Sequence, residues 1–311
     1  MTILYYSDPA SLRHDNGPGH PEAPARIEAV ERMLASDPPP GLARRDAPEA
    51  TRAQLERAHP ARYVTRILEA VPDDGYARLD ADTTLSPGSG EAILKGAGGA
   101  CAAVDAVLAG EARRAFVGMR PPGHHAERER AMGFCLFNNV AIAALQAREA
   151  HGVGKVAIVD FDVHHGNGTQ DIFWDDPETL FCSTHQMPLY PGTGAKSETG
   201  TRNSIVNRPC PPGTDGPMWR RLVEAEILPR LEAFAPKLVL VSAGFDAHAT
   251  DPLANMALLE EDFGWIAERL VGVAERHAEG RVVAVLEGGY NPPALASSVR
   301  AFLAGLSPRA D

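Results

Sequence analysis

Apolar positions along this chain form short runs that alternate with longer segments of helical period. Four runs lack the polar alternation of a half-exposed strand, which is typical of strands buried on both faces of a parallel sheet: residues 115–119, 156–159, 238–241 and 282–286. Seven segments have helical spacing and are predicted as helices: 24–35, 51–69, 89–108, 137–150, 217–234, 258–278 and 293–306. This order predicts an α/β fold, with helices on both faces of a mainly parallel sheet. Because the motifs of the two halves need one another, we expect a single domain over residues 1–311.

Polar side chains follow each apolar run. After residues 156–159 the chain reads Asp-Phe-Asp-Val-His-His-Gly-Asn-Gly, so Asp160, Asp162 and His164 would share one face where the strand ends. Asp246 follows another run, and ligands in open parallel sheets gather at the carboxyl ends of strands. Asp162, His164 and Asp246 fit a zinc ion, because three protein ligands leave positions for water and substrate. The plainer alternative is that Asp162 ends a strand and Asp246 caps a helix.

Two adjacent histidines, His124 and His125, follow Pro-Pro-Gly on a constrained loop. Adjacent side chains diverge, so Asp160 could hold one imidazole and Asn167 the other, which would separate electrostatic support from general acid–base catalysis. Asp160 could instead be a further metal ligand. A pair of surface histidines is the alternative for the dyad.

Further chemistry is predicted around this centre. Tyr290 follows two glycines, and a phenol with a pKa of about 10 remains a hydrogen-bond donor at neutral pH, so it could stabilise an oxyanion. The alternative is a ring that covers the core edge. Phe134 and Tyr190 could wall a narrow slot for an extended aliphatic chain. Gly133 could let its backbone carbonyl approach a substrate amide.

Composition narrows the function classes. The net charge is −11 and there is no cluster of five or more Lys and Arg residues, which argues against binding nucleic acid or an anionic membrane. No apolar segment approaches the ~18 residues of a membrane span, and the start of the chain lacks the pattern of a signal peptide. Four cysteines without paired spacing favour a reducing cytoplasm.

The motifs, taken in order, resemble the zinc-dependent histone deacetylase family, which includes bacterial deacetylase-like amidohydrolases. The resemblance runs from His20-Pro-Glu to Tyr290, and the other motifs that carry it are Arg120-Pro-Pro-Gly-His-His, Gly133-Phe-Cys, Asp160-Phe-Asp-Val-His-His-Gly-Asn-Gly-Thr, Ser242-Ala-Gly-Phe-Asp and Glu287-Gly-Gly-Tyr-Asn. It implies the arginase/deacetylase fold.

The resemblance also implies a role for each site residue. One Zn²⁺ would be bound by Asp162, His164 and Asp246, with His125 as general base and acid, His124 as its electrostatic partner and Tyr290 polarising the carbonyl. A structural K⁺ would lie among Asp160, the backbone carbonyls of Asp162 and His164, and the Ser183 hydroxyl. Phe134 and Tyr190 would line the substrate tunnel, and Arg26 would lie near an internal acetate-release channel.

Single positions indicate the branch of the family. Asn167 stands where class I enzymes carry Asp, so the chain resembles class II. Leu253 occupies a rim position where the polyamine-selective enzyme carries glutamate, which favours an acyl-lysine or neutral ligand. Gly88 falls where related enzymes place a residue that grips the peptide backbone.

We therefore expect hydrolysis of Nε-acetyl-lysine in a peptide, or of a related small acetylated amine. An acetylpolyamine amidohydrolase is the alternative enzyme. A silent acyl-lysine-binding protein and a binuclear manganese hydrolase of arginase type, with His165 and His248 as spare ligands, are further alternatives. A homo-oligomer remains open.

Overall fold

An eight-stranded parallel sheet is the centre of the structure, a computed structural model that describes residues 2–307. The strands of this sheet and of a smaller, two-stranded one are β1 (Ile3–Ser7), β2 (Leu42–Asp46), β3 (Ala77–Arg78), β4 (Thr84–Leu85), β5 (Arg114–Val117), β6 (Val156–Asp160), β7 (Thr179–Gln186), β8 (Ile205–Cys210), β9 (Leu238–Ala243) and β10 (Val282–Leu286). In the large sheet their order is β2-β1-β5-β10-β9-β6-β7-β8, and β3 and β4 form a separate antiparallel pair.

Helices cover both faces of the sheet, as the alternating pattern predicts. They are α1 (Pro24–Ser36), α2 (Arg52–Ala58), α3 (Ala61–Glu69), α4 (Ser89–Leu108), α5 (Asn139–His151), α6 (Asn167–Phe173), α7 (Gly216–Leu222), α8 (Leu228–Phe234), α9 (Glu260–His277) and α10 (Pro292–Leu306). Successive residues of β6 enter different cores: Val156 and Ile158 pack with α2 to α6, whereas Ala157 and Val159 pack with α1 and α7 to α10. The sheet is therefore buried on both sides.

Two predicted helices differ from the observed ones. The segment 51–69 is not one helix but α2 and α3, because His59 is extended (φ −125°, ψ 136°) before Pro60, and a residue before proline is disfavoured in the helical region. The segment 217–234 runs through α7 and α8 with a π-helical turn, Val223–Ile227, between them. That turn comes just before Pro229, which has no N–H to donate to the preceding turn.

The topology brings the chemistry to one place. The four apolar runs identified in the sequence become β5, β6, β9 and β10, and these are the four central neighbours of the sheet. Since all four strands are parallel, the polar segments that follow them meet at one edge. Among the described residues, no helix is both long and apolar enough to cross a bilayer.

Candidate active site

Asp162, His164 and Asp246 converge at the carboxyl edge of the sheet. Nδ1 of His164 lies 3.1 Å from Oδ1 of Asp162 and 3.1 Å from Oδ2 of Asp246. The three side chains are buried, and one ligand atom of each lies within 4.8 Å of the others. The second oxygen of each carboxylate accepts a backbone N–H, from Gly288 for Asp162 and from Val163 for Asp246, both at 2.8 Å. One oxygen of each carboxylate is thereby turned toward the imidazole, which is the arrangement that a three-ligand metal site requires.

Glycines make room for this cluster. A Cβ at Gly288 would lie 2.1 Å from Oδ2 of Asp246 and 2.6 Å from Oδ2 of Asp162. A Cβ at Gly244 would lie 2.1 Å from the same oxygen of Asp162. The backbone therefore approaches both carboxylates more closely than a side chain would allow.

The negative charges of Asp162 and Asp246 favour the binding of a cation. Burial and the neighbouring charge of Asp162 raise the pKa of Asp246 to about 7. Two buried carboxylates this close repel each other unless a proton or a positive ion lies between them. Two carboxylates and one imidazole are ligands that zinc accepts, so the residues present fit the ion.

His124 and His125 diverge to different partners. Nδ1 of His124 lies 2.9 Å from Oδ2 of Asp160, and Nδ1 of His125 lies 2.8 Å from Oδ1 of Asn167. The two imidazole centres are 4.0 Å apart. This is the division of partners that the sequence suggested, and it leaves Asp160 occupied by a histidine rather than facing the metal-binding atoms.

The two imidazoles differ in charge. Burial works against a charged His124, but the charges of Asp162 and Asp160 outweigh it and raise its pKa well above 6.5. Burial and the neighbouring His124 and His164 instead hold the pKa of His125 well below that value. A cationic imidazole beside a neutral one is suited to electrostatic support beside a general base.

Tyr290 lies at the turn after β10 and remains a neutral phenol. Burial, only partly offset by the charge of Arg26, raises its pKa well above 10. Its backbone N–H donates to Oδ2 of Asp251 at 2.7 Å. The guanidinium of Arg26 lies against the ring, 4.8 Å from its centre.

Two aromatic rings flank the dyad and the tyrosine. The Phe134 ring meets Tyr290 edge-on at 5.8 Å, and the Tyr190 ring meets His125 edge-on at 5.2 Å. Gly133 adopts φ 56°, and a Cβ there would lie 2.4 Å from the His125 ring. Its carbonyl accepts the thiol of Cys135 at 3.2 Å, so the structure accounts for this glycine by the close approach of His125.

Four other residues singled out in the sequence lie around the centre. Ser183 is the β7 neighbour of Asp160, and its hydroxyl lies 2.9 Å from Nδ1 of His185. The N–H of Leu253 donates to Oδ1 of Asp251, the carboxylate that also holds Tyr290. His165 and His248 hydrogen-bond to Thr193 and Thr250, respectively. Within residues 2–307, the metal-ligating side chains that cluster in threes or more are those of the triad alone.

Comparison with known proteins identifies the family. The histone deacetylase domain matches residues 20–306. The chain belongs to the histone deacetylase family. A histone deacetylase-like amidohydrolase of Pseudomonas aeruginosa is 43% identical over 278 residues, covering 88% of this chain and 73% of that protein. A probable deacetylase of Archaeoglobus fulgidus is 41% identical over 286 residues, covering 90% and 79%.

A solved structure shares the fold of this deacetylase. The HD domain of HDA15 superposes with a TM-score of 0.92 at 34% identity, covering 98% of this chain and 88% of that one. The predicted arginase/deacetylase fold and the predicted class of enzyme, a hydrolase of the deacetylase type, are therefore confirmed. The family is zinc-dependent in general, and this deacetylase has a triad able to bind a metal.

The positions of some residues around the site depend on distant contacts that the sequence pattern does not show. Gly88 precedes α4, and a Cβ there would lie 2.2 Å from the carbonyl of Arg13, so the close approach of the two backbone segments accounts for this glycine. Oδ1 of Asp82 accepts the N–H of Gly133 at 3.2 Å, next to Phe134 in the chain. Glu287 stands out in the sequence only as part of a motif, yet its Oε2 accepts the N–H groups of Gly123 and His124. No local sequence pattern predicts these contacts of Asp82 and Glu287, because their partners are far away in the sequence.

Proposed function

We propose that this protein is a zinc-dependent deacetylase that releases acetate from Nε-acetyl-lysine or a related acetylated amine. The observation that carries the proposal is the convergence of three groups at one edge of the sheet. They are the buried metal-binding triad, the histidine pair with different partners, and the neutral phenol of Tyr290.

Each group has a task in amide hydrolysis. Zinc bound by the triad would supply Lewis-acid polarisation of the acyl carbonyl and of the attacking water. His125, the neutral imidazole, takes the proton of the water and later gives it to the leaving amine. His124, held by Asp160, contributes positive charge beside it. The hydroxyl of Tyr290 donates to the oxygen on which negative charge develops, as in other oxyanion holes.

The walls favour an extended aliphatic substrate. Phe134 and Tyr190 stand on either side of the catalytic groups, and such rings suit the methylene chain of lysine. We infer an acyl-lysine substrate because Leu253 brings no charge to the rim.

An acetylated polyamine is the second candidate, and one observation favours it. Burial and the Asp80 carboxylate raise the pKa of Asp82, and burial and both carboxylates raise the pKa of Tyr190, so acidic charge lies near the Tyr190 ring. Acidic charge would attract the free ammonium of a polyamine. The Asp82 carboxylate could also accept the N–H groups of a peptide, and therefore the rate comparison decides.

The experiment is an acetate-release assay with zinc-loaded protein. Acetyl-lysine peptides and N-acetylputrescine are compared at equal concentration, with and without a hydroxamate inhibitor. We expect higher kcat/KM on the peptides and inhibition by the hydroxamate. His125→Ala is the matched inactive variant, and Glu129→Gln, at an exposed ion pair with Arg62, is the active control. A higher kcat/KM on N-acetylputrescine would contradict the acyl-lysine substrate and favour an acetylated polyamine. Binding of these substrates without any release of acetate would contradict the proposed deacetylase activity.

Other properties stay predictions. A structural K⁺ near Asp160 is supported by the buried Asp160 carboxylate and the buried Ser183 hydroxyl on neighbouring strands. Three further properties also stay predictions: a role of Arg26 in an acetate channel, location in the cytoplasm and formation of a homo-oligomer.

A further inference from the structure

The side-chain amide of Asn167 is surrounded on its nitrogen side by acceptors. Nδ2 lies 2.7 Å from Oε1 of Glu127, 3.3 Å from Sδ of Met132 and 3.5 Å from the backbone carbonyl of His125. A carboxylate, a thioether and a carbonyl accept hydrogen bonds and do not donate them. The amide nitrogen therefore belongs on this side, and the amide oxygen faces Nδ1 of His125 at 2.8 Å.

The orientation of the amide decides which nitrogen of His125 carries hydrogen. A neutral imidazole has one N–H, and the partner of one ring nitrogen sets the tautomer. Because Oδ1 of Asn167 can only accept, Nδ1 must be the protonated nitrogen. Nε2 then keeps its lone pair, which is what a general base needs.

Glu127 makes the strongest of the three contacts that fix the amide, being both the shortest and the only charged one. An amide that rotated by half a turn would place its oxygen 2.7 Å from the Glu127 carboxylate and its N–H toward Nδ1 of His125. The first contact would be repulsive, and the second would force hydrogen onto Nε2 and leave no base there. His124 needs no such relay, because Asp160 has only acceptors to offer it.

We propose that Glu127 is a positioning residue that sets the tautomer of His125 through Asn167. The proposal rests on the proposed function in that it takes His125 as the base, but it concerns a hydrogen-bond arrangement that can be observed without turnover. The side chain of Glu127 contacts Asn167, not the ligand atoms of the triad.

The Glu127→Gln variant separates this role from a merely structural one. Gln keeps the size of the side chain, and the backbone bond from residue 127 to the Arg130 carbonyl at 3.0 Å does not depend on the side chain. Its terminal amide can donate as well as accept, so both orientations of Asn167 become tolerable. In Asn167→Asp the partner of His125 has two acceptor oxygens, so the tautomer no longer needs Glu127. One of these oxygens would face Oε1 of Glu127 in place of the Nδ2 donor, and Glu127→Gln in the double variant relieves that repulsion.

The experiment compares the wild type, Glu127→Gln, Asn167→Asp and the double variant as zinc-loaded full-length protein. Glu129→Gln, two residues along the same loop, is the matched control. The ring nitrogens of His125 are read by long-range ¹H–¹⁵N NMR, with His125→Ala giving the assignment. kcat and KM are measured with the best substrate of the acetate-release assay.

We expect hydrogen on Nδ1 in the wild type and in Glu129→Gln, and a mixture of tautomers in Glu127→Gln. The mixture should accompany a roughly ten-fold lower kcat, the usual scale for removing a partner of a metal-site residue, with little change in KM. The double variant should regain the Nδ1 tautomer and be at least as active as Asn167→Asp, because it lacks the repulsion between the two carboxylates.

Retention of the Nδ1 tautomer in Glu127→Gln would overturn the proposal, whatever the activity. So would a double variant that is as far below Asn167→Asp as Glu127→Gln is below the wild type. If the wild type hydrolyses no acetylated substrate, the proposed function fails. The NMR comparison still tests the link between Glu127 and His125 in that case.

Discussion

The guanidinium of Arg26 stacks on the ring of Tyr290, 4.8 Å from its centre. Nε of Arg26 donates to the carbonyl of Gly289 at 2.6 Å, and a terminal N–H donates to the carbonyl of Glu287. Another N–H pairs with Oε1 of Glu22 at 2.8 Å. Arg26 therefore holds the backbone of the turn that carries the Tyr290 phenol, independently of any role in acetate release.

Arg26→Lys should misplace Tyr290 while keeping a positive charge near Glu22. Lysine has no planar fork, so at least one of the two carbonyls loses its donor, at a cost of roughly 2 kcal/mol in the free energy of unfolding. Single-turnover measurements separate chemistry from product release. We expect the single-turnover rate to fall together with kcat. An unchanged single-turnover rate with a slower steady state would instead assign Arg26 to acetate release.

Tyr290→Phe should keep the metal and lose most of the turnover. The triad does not include the phenol, so zinc content should stay at that of the wild type. Loss of one oxyanion donor costs about 10²–10³ in kcat. Metal analysis and acetate-release kinetics on the same preparation check both statements. A variant with wild-type kcat would remove Tyr290 from the proposed mechanism.

Gly288→Ala should weaken metal binding through sterics alone. The added Cβ would lie 2.1 Å from Oδ2 of Asp246 and 2.6 Å from Oδ2 of Asp162, so at least one carboxylate must move. Zinc affinity, measured by competition with a chelator, should fall at least roughly ten-fold. Gly272→Ala is the control, because its Cβ would meet only the flexible end of Arg276 at 3.5 Å. Equal zinc affinity in both variants would contradict the proposed site.

The hydrophobic pattern predicted the strands that carry the site and missed one that supports it. β6, β9 and β10 are continuous apolar runs, so their positions could be read directly. β7 is also buried throughout but contains Thr, Ser, His and Gln. Its polar side chains are buried because they have partners, such as His185 for Ser183 and Trp219 for Thr184. A pattern that equates burial with apolar character cannot find such a strand.

The same reasoning applies to the site. The spacing of Asp160, Asp162 and His164 is enough to predict that they share one face, because strand geometry is local. Pro60 is an equally local signal, and it divides the helix that the periodicity alone predicts over 51–69. Asp82 and Glu127 give no such signal, since each acts through a residue at least forty positions away.

Leu253→Glu should shift the substrate preference toward acetylated polyamines. The backbone of Leu253 is linked through Asp251 to the turn that carries Tyr290, so a carboxylate at position 253 would add acidic charge near the proposed site. We expect the ratio of kcat/KM for N-acetylputrescine to that for the peptide to rise roughly ten-fold, about 1.4 kcal/mol in differential transition-state binding. Leu253→Gln is the uncharged control. A ratio that rises equally in both variants would show that size, not charge, sets the preference.

His59 should make the fold sensitive to mild acid. The ring is 1% exposed, its Nε2 accepts the N–H of Asn138 at 3.0 Å and its Nδ1 lies 3.1 Å from the carbonyl of Arg128. Burial lowers its pKa to about 4, whereas an unfolded histidine has a pKa of about 6.5. Between these pH values His59 is protonated in the unfolded chain but neutral in the folded protein. The contribution of His59 to stability is therefore present above about pH 6.5 and is lost as the pH falls toward about 4. The free energy of unfolding should therefore drop by about 2 kcal/mol between about pH 7 and about pH 5 on account of this residue.

In urea titrations at both pH values, His59→Gln should be less stable than the wild type at the higher pH but should show a correspondingly smaller drop in the free energy of unfolding. His151→Gln, at an exposed residue of α5, is the control. An identical drop in the wild type and His59→Gln would mean that His59 does not resist protonation in the folded protein.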